Sequence, residues 1–448
     1  MGGSLAGLLA AHALSRYADR VTIVERDRLP EGAEPRPGVP QGRHPHVLLE
    51  GGQTALESLL PGFLTELTEA GAPRVGMPSG LVLWQDGRWI RRLPATTYIR
   101  TGSRAQLEWL IRRRVLADPA IEVLEGTDVR GLIGDAARVR GVLLRQRRSG
   151  DAREKRDALE ADLVVDASGS GTKAAQWLTG IGAEPAYEET LDTGLAYASR
   201  LYRGPSGSLD GDTAGYYVYP GPDQTRAGGA LPLEDGTHLV IVSGLRGDEP
   251  PTGADEFVAF AKRLPHPPLH RWLDEAEPLS PAFGYRQPAN IRRRYDHPGR
   301  HPAGFLATGD ALCTFNPIYG QGMAVAAMNA VALRDALAEP GPTPTTRRVQ
   351  RAILASSRLA WDISAGADRK MPGAIGTAVG GSAADRVADW YLRRVQAYYV
   401  GDPVVGRAFR SVLGLSAPVT ALFTPAVARA VLLRPLPATP AEAPMTPE

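Results

Sequence analysis

Hydrophobic residues along this chain change rhythm several times, and each change marks an element. Residues 5 to about 17 are almost uninterrupted Ala and Leu, the pattern of a buried helix, and 21–24 read as a buried strand. Residues 54–70 and 104–116 carry apolar positions at helical spacing; in the second, Leu107, Leu110, Ile111 and Val115 share a face. A strand at 121–124 is followed by short alternating strands with charged hairpins, which return to a buried strand at 163–166. From 190 to 295 the period is two, with strands at 195–202, 215–219, 229–232 and 238–243, a turn at Glu234-Asp235-Gly236 and a helix near 255–262. Asp86-Gly87 predicts one further hairpin. Residues 305–308 suit a strand end, and small apolar residues from Met323 to Leu337 suit a helix. Residues 345–433 are helical, with breaks at Pro372-Gly373 and Gly380-Gly381, and a Pro-rich stretch ends the chain. The expected class is mixed α/β.

Composition narrows the function classes. A chain of 448 residues suits two interleaved domains with a helical tail. The 51 basic residues are nearly balanced by 49 acidic ones, so nucleic-acid binding is not expected. One cysteine, Cys313, excludes an intramolecular disulfide and fits a reducing cytoplasm. No apolar run reaches about 18 residues, so no transmembrane segment is expected. The pair His44 and His46 lacks further spaced ligands, so no metal is assigned, and His266 and His270 straddle two prolines in an expected loop.

Candidate chemistry begins at the first residues. Gly2, Ser4 and Gly7, then a helix, a strand and Glu25-Arg26, make most of a dinucleotide fingerprint: a helix start facing a pyrophosphate and an acid for a ribose. Ser4 stands where the fingerprint has its second glycine. Only Met1 precedes the glycines, although the fingerprint requires a buried strand there; a sequence starting roughly 5 to 12 residues late is expected. Asp310 sits at the carboxyl edge of the 305–308 strand, where α/β proteins bind ligands. Beyond it Pro317, Gly320 and Gly322 turn the chain into a helix whose free N–H groups, at Met323 and Ala324, can face electron-rich atoms. Taken alone, the pattern also fits, as the lesser alternative, an Asp cap with a glycine turn. Arg104 falls in the first turn of its helix, a poor place for a cation without an anionic partner. Asp166-Ala167-Ser168-Gly169 supplies small residues where chain passes close to a ligand.

Together, Gly309-Asp310, Pro317 and the GQG of 320–322, with RPGVPQ at 36–41, Arg43-His44 and the VVDASG of 164–169, resemble the single-component FAD-dependent monooxygenases of the aromatic hydroxylase-like superfamily. The branch they most resemble contains actinobacterial polyene epoxidases of polyether biosynthesis and related hydroxylases. The resemblance implies a Rossmann-like FAD domain of the glutathione-reductase type from 1–71, 101–189 and 296–344. It also implies an inserted antiparallel substrate domain from 72–100 and 190–295, C-terminal helices over 345–433 and a disordered tail at 434–448.

By the same resemblance Asp310 contacts the ribityl chain, Met323 and Ala324 the pyrimidine carbonyl, Arg104 the phosphates and Val129 the adenine. Arg43 would lie beside the isoalloxazine, and the Asp166 segment would touch FAD. The implied reaction passes one oxygen of O2, through a flavin C4a-hydroperoxide, to a hydrophobic secondary metabolite, as epoxidation or hydroxylation. Tyr197, Tyr202, Tyr216, Tyr217 and Tyr219 are packing residues or a pocket wall. Ser168-Gly169 and Lys173 stand where the family carries Asp-Gly and Arg, so NAD(P)H reduces the flavin directly or through a separate reductase. Other readings are an FAD reductase or dehydrogenase, or an inactive FAD-fold protein. A halogenase is disfavoured, because 84–93 read WQDGRWIRRL rather than W-x-W-x-I-P.

Overall fold

The computed structural model describes all residues except 148–156, 206–212, 287–288, 298, 300, 340–343 and 380–382, and only the backbone of 383–388. One half of the molecule is built on two parallel strand pairs, Val21–Val24 with Ile121–Leu124 and Val164–Asp166 with Phe305–Ala307. Between the pairs lie Met1 and Gly2. The Met1 ammonium donates to the Val165 carbonyl (2.8 Å), Ala167 N–H to the Met1 carbonyl (2.9 Å), and Gly2 N–H to the Val24 carbonyl (2.8 Å). These two residues therefore connect the pairs by backbone hydrogen bonds.

Helix Leu5–Leu14 is apolar around its circumference and buries Leu5, Leu8 and Leu9, as a helix without a polar face must. Helix Gly322–Ala338 packs against it and against helix Glu50–Leu59. The approach is close. A Cβ on Gly52 would lie 2.6 Å from the Ala324 Cα, so only glycine lets these helices meet. The expected helix over 54–70 is two helices, Glu50–Leu59 and Phe63–Glu69, because Pro61 cannot continue the first and Gly62 takes a left-handed conformation (φ 80°).

An eight-stranded sheet forms the second half. It is antiparallel except where Gly215–Val218 pairs in parallel with Leu81–Gln85. The Asp86-Gly87 hairpin forms as expected, with φ of 48° and 77° at its two turn residues. One sheet face is covered by helices Ala254–Ala261 and Pro267–Glu275. The second of these corrects the loop expected around His266 and His270. Pro267 and Pro268 open the helix, where their missing N–H groups have no helical acceptor to lose, and His266 caps it by accepting from Leu269 N–H.

Helices Ala383–Tyr399, Pro403–Leu413 and Pro425–Leu433 pack Val395, Val405 and Val431 against Leu81 and Leu83 at the sheet edge. The expected break at Gly380-Gly381 lies outside the described residues. The tail 434–448, expected to be disordered, is extended chain held on the protein. Its open carbonyls need donors, and the fully buried Arg92 guanidinium supplies them to Pro444 and Met445, while Glu448 pairs with Arg91. No helix among the described residues is long and apolar enough to cross a membrane.

Gly52→Val would force helix Glu50–Leu59 away from Ala324. The expected destabilisation is about 1–3 kcal/mol, read as a shift in the urea midpoint at unchanged slope.

Candidate functional site

Five charged side chains, nine-tenths or more buried, lock the glycine turn to its surroundings. Arg36 donates through Nε to Glu108 (2.7 Å), through Nη1 to Asp27 (2.9 Å) and through Nη2 to the Gly3 carbonyl (3.2 Å), and lies 3.3 Å from Glu25. Glu25 accepts from Gly3 N–H (2.6 Å) and Asp27 N–H (2.9 Å). On the far side Glu108 accepts from Ser4 Oγ (2.6 Å), and Arg104 Nη2 donates to Ser4 Oγ (2.8 Å) and Glu108 (3.3 Å). Burial alone would raise the Glu108 pKa, but Arg104, Arg36 and the hydrogen bonds from Ser4 and Arg36 outweigh it and hold the carboxyl below its ordinary value. Ser103 caps helix Arg104–Val115 by accepting from Gln106 N–H (3.1 Å). Glu234, from a turn of the large sheet, accepts from Ser103 N–H (2.8 Å) and from its hydroxyl.

At the other strand edge Asp310 faces the same space. Burial pushes its carboxyl above the ordinary range, against the pull of Arg104 and Arg293. The turn that follows is held from behind by Asp368, 1% exposed, which accepts from Asn290 Nδ2 (2.6 Å), Asn316 Nδ2 (2.9 Å) and Tyr319 Oη (2.6 Å). Gly320 (φ 65°) then swings the chain into helix Gly322–Ala338.

These parts line one continuous cavity of about 860 Å³. Its polar end is bounded by Gly2, Ser4, Glu25, Arg104, Val129 and Lys173, and its apolar end by Met77, Leu81, Tyr217, Tyr219, Leu231 and Ile241. Alternation along the strands sorts the tyrosines: Tyr197, Tyr217 and Tyr219 face the cavity, while Tyr202 and Tyr216 lie in the core beneath the sheet's helices. His44 and His46 also line it. His44 Nδ1 meets Ser199 Oγ (2.9 Å) and His46 Nδ1 the His44 carbonyl (2.8 Å). Among the described residues no group of acids, histidines and cysteines could hold a metal ion.

A family model described as "FAD binding domain" matches residues 1–342. The chain belongs to this FAD-binding domain family. Protein Rv3254 of Mycobacterium tuberculosis strain H37Rv is 39% identical over 352 residues, spanning 75% of this chain and 72% of the relative. Among solved structures, the flavin-dependent brominase Bmp2 superposes with a TM-score of 0.64 at 17% identity over 92% of each chain. The oxygenase of 2-methyl-3-hydroxypyridine-5-carboxylic acid does so with 0.56 at 18% identity over 98% of each. Both share the fold of this FAD-binding domain.

The residues present fit FAD. Arg104 Nη1 and Gln321 Oε1 are buried without a hydrogen-bond partner among the described residues. Gly2 (φ 94°) leaves no room for a side chain, since a Cβ would come within 2.4 Å of the Ala167 carbonyl. The turn can therefore bring backbone close to phosphates, as an FAD-binding domain requires.

The structure sorts the sequence-predicted residues of the FAD-binding domain. Gly2, Ser4, Glu25, Arg26, Arg104, Val129, Asp310, Pro317, Gly320, Gly322 and Met323 line the cavity. Asp166, Arg43, Gly7 and Ala324 are not among the lining residues. Asp166 turns away, accepting from Ser168 N–H (3.0 Å), Ser168 Oγ (2.6 Å) and Thr172, so it shapes its own loop. Arg43 is exposed and lies over the Phe283 ring at 4.5 Å; its neighbours Gln41 and His44 line the cavity instead. Gly7 is needed for packing, because a Cβ there would meet the Gly2 carbonyl at 1.8 Å. Ala324 is buried against Gly52, and the group expected of it, its backbone N–H, lies in the first turn of helix Gly322–Ala338.

Sequence reasoning missed Asp27, Glu108 and Asp368, and read Arg36 only as part of a motif. Glu108 carried a signal, since it stands four residues after Arg104 on the apolar face of Leu107 and Ile111.

Arg36→Met leaves Glu25, Asp27 and Glu108 crowded without their shared cation, and the expected loss of stability is about 3–5 kcal/mol by urea denaturation. Burial and the neighbouring Arg43 push His44 down to about 4. The unfolded chain therefore binds that proton first, and stability falls as pH drops from about 6.5 toward 4. His44→Gln should make the fall in melting temperature across that window shallower, the remainder coming from His46 and His266, which burial pushes down to about 3 and about 4.

Proposed function

We propose that this FAD-binding domain protein is a monooxygenase that inserts one oxygen atom of O2 into a hydrophobic small molecule, by epoxidation or hydroxylation. The observation that carries this reading is the continuity of the cavity from its polar, glycine-walled end to an end walled by Tyr217, Tyr219, Met77, Leu81, Leu231 and Ile241. A purely electron-transferring flavoprotein has no need of so large an apolar chamber opening onto the cofactor space. The shared fold of the 2-methyl-3-hydroxypyridine-5-carboxylic acid oxygenase supports the reading.

In this proposal Glu25 takes ribose hydroxyls, the turn from Gly2 and the start of helix Leu5–Leu14 take the pyrophosphate, and Asp310 takes hydroxyls of the ribityl chain. Arg104, whose charge is only half used by Glu108, adds a donor at the phosphates. N–H groups of Met323 and Ala324, which lack intrahelical acceptors, would face the ring's carbonyl oxygens. Bound and reduced, FAD supplies the activation of O2. The aromatic and aliphatic wall excludes water from the reacting end.

Among the described residues no side chain at that end is poised as a base near neutral pH: Tyr197 and Tyr217 are pushed far up by burial, and His44 and His46 are pushed down to about 4 and about 3. This supports a substrate that reacts without losing a proton, such as an alkene. Lys173, exposed in the lining, stands where the resemblance to aromatic hydroxylases implies an arginine, and this departure favours electron supply through a partner reductase over direct use of NAD(P)H.

The test is the visible spectrum of the purified protein, followed by turnover under isotopically labelled O2. Flavin absorbance with a product heavier by one labelled oxygen atom is the expected result. Flavin turnover without oxygen incorporation would favour a reductase or dehydrogenase, and absence of FAD uptake would remove the reading altogether. Asp310→Ala should weaken FAD binding roughly 10- to 100-fold while leaving the far-ultraviolet circular dichroism unchanged.

A further inference from the structure

Among the described residues Arg36, Arg104 and Arg410 are the buried arginines that line the cavity, and the cofactor site leaves Arg410 unused. It projects from the last turn of helix Pro403–Leu413 into the wall of the cavity's apolar end, beside Tyr219 and Leu413, and is 8% exposed. Its Nε donates to Thr96 Oγ1 at 3.3 Å, and its Nη2 has no partner. The contrast with the other two decides the matter. Arg36 faces Glu25, Asp27 and Glu108, and Arg104 faces Glu108. Among the described residues no carboxylate lies within ion-pair distance of Arg410, and its electrostatic neighbours are the hydroxyls of Tyr219 and Tyr399.

A guanidinium taken out of water without an anion is costly, and burial pushes its pKa down to about 10. Proteins keep such a charge where a ligand completes it. The helix C-terminus supplies only part of that compensation. Nor is the position an accident of loose packing. A Cβ at Gly406 would come within 2.9 Å of the guanidinium nitrogens, so the helix has a glycine where the folded-back arginine needs room.

We propose that Arg410 is a specificity-determining residue that anchors a carboxylate of the substrate, whose apolar body lies along Tyr217, Tyr219, Met77 and Leu81. The substrate class is thus an amphiphilic carboxylic acid rather than a neutral hydrocarbon-like molecule. Planar two-point recognition of a carboxylate is what a guanidinium does best, and lysine reproduces it only in part. This deepens the monooxygenase reading and rests on it for the cavity being the substrate's site.

Isothermal titration calorimetry of the purified FAD-loaded protein tests it with matched probes, naphthoate against naphthamide and laurate against lauramide. The acids are expected to bind at least about tenfold more tightly than the amides. Arg410→Gln should remove that preference while leaving amide binding unchanged, and Arg410→Lys should restore part of it. Equal binding of acids and amides, binding of neither, or a preference that survives Arg410→Gln would overturn the proposal. Thermal melts of both variants report folding. Flavin absorbance of the same samples reports FAD binding, so failure of the cofactor reading is seen separately from failure of this one.

Discussion

A buried guanidinium shared among three carboxylates is the constraint on which the nucleotide-binding half depends. Arg36 comes from a stretch rich in prolines and glycines that forms no strand and one short 3-10 turn, yet it reaches the end of the first parallel pair, the glycine turn and helix Arg104–Val115 at once. Burying so many charges costs solvation, and each is tolerated because the others complete its hydrogen bonds. The geometry is therefore all or none. Glu25 is held at the cavity by Arg36 together with the N–H groups of Gly3 and Asp27, and Ser4 is fixed at the helix start because Glu108 and Arg104 hold its hydroxyl from either side.

That arrangement explains why a serine stands in the glycine fingerprint. Its backbone keeps the turn, and its hydroxyl becomes a link in the charge network rather than an obstruction. The second half is organised differently, by alternation. Odd and even residues of the same strand go to opposite faces, so Tyr217 and Tyr219 stack edge to face at 5.0 Å in the cavity while Tyr216 contacts His266 on the other side. One sheet thereby carries both a packed core and a ligand wall.

Much of this was legible in the sequence, for physical reasons. Periodicity found the helices and strands because burial sets it, and glycine-rich turns announced the cofactor end because only glycine permits those backbone approaches. What escaped was side-chain direction. Asp166 and Arg43 belong to the right segments, but sequence position does not tell that one carboxylate caps its own loop and one guanidinium stacks on Phe283. The long-range partners of Arg36 escaped for the same reason, since 72 residues separate it from Glu108. The tail was misjudged because its composition resembles disorder, whereas its order depends on donors supplied by Arg92 far away in the chain.

Glu234 closes the last turn of this reasoning. It belongs to the sheet that walls the apolar end, yet it holds the cap of the helix carrying Arg104 and Glu108. Any rigid-body displacement of the sheet must pull a hydrogen-bonded carboxylate off that helix start. The two ends of the cavity are thus mechanically joined at one residue. Whatever coupling that contact carries between the two ends is reciprocal, as for any two linked binding equilibria.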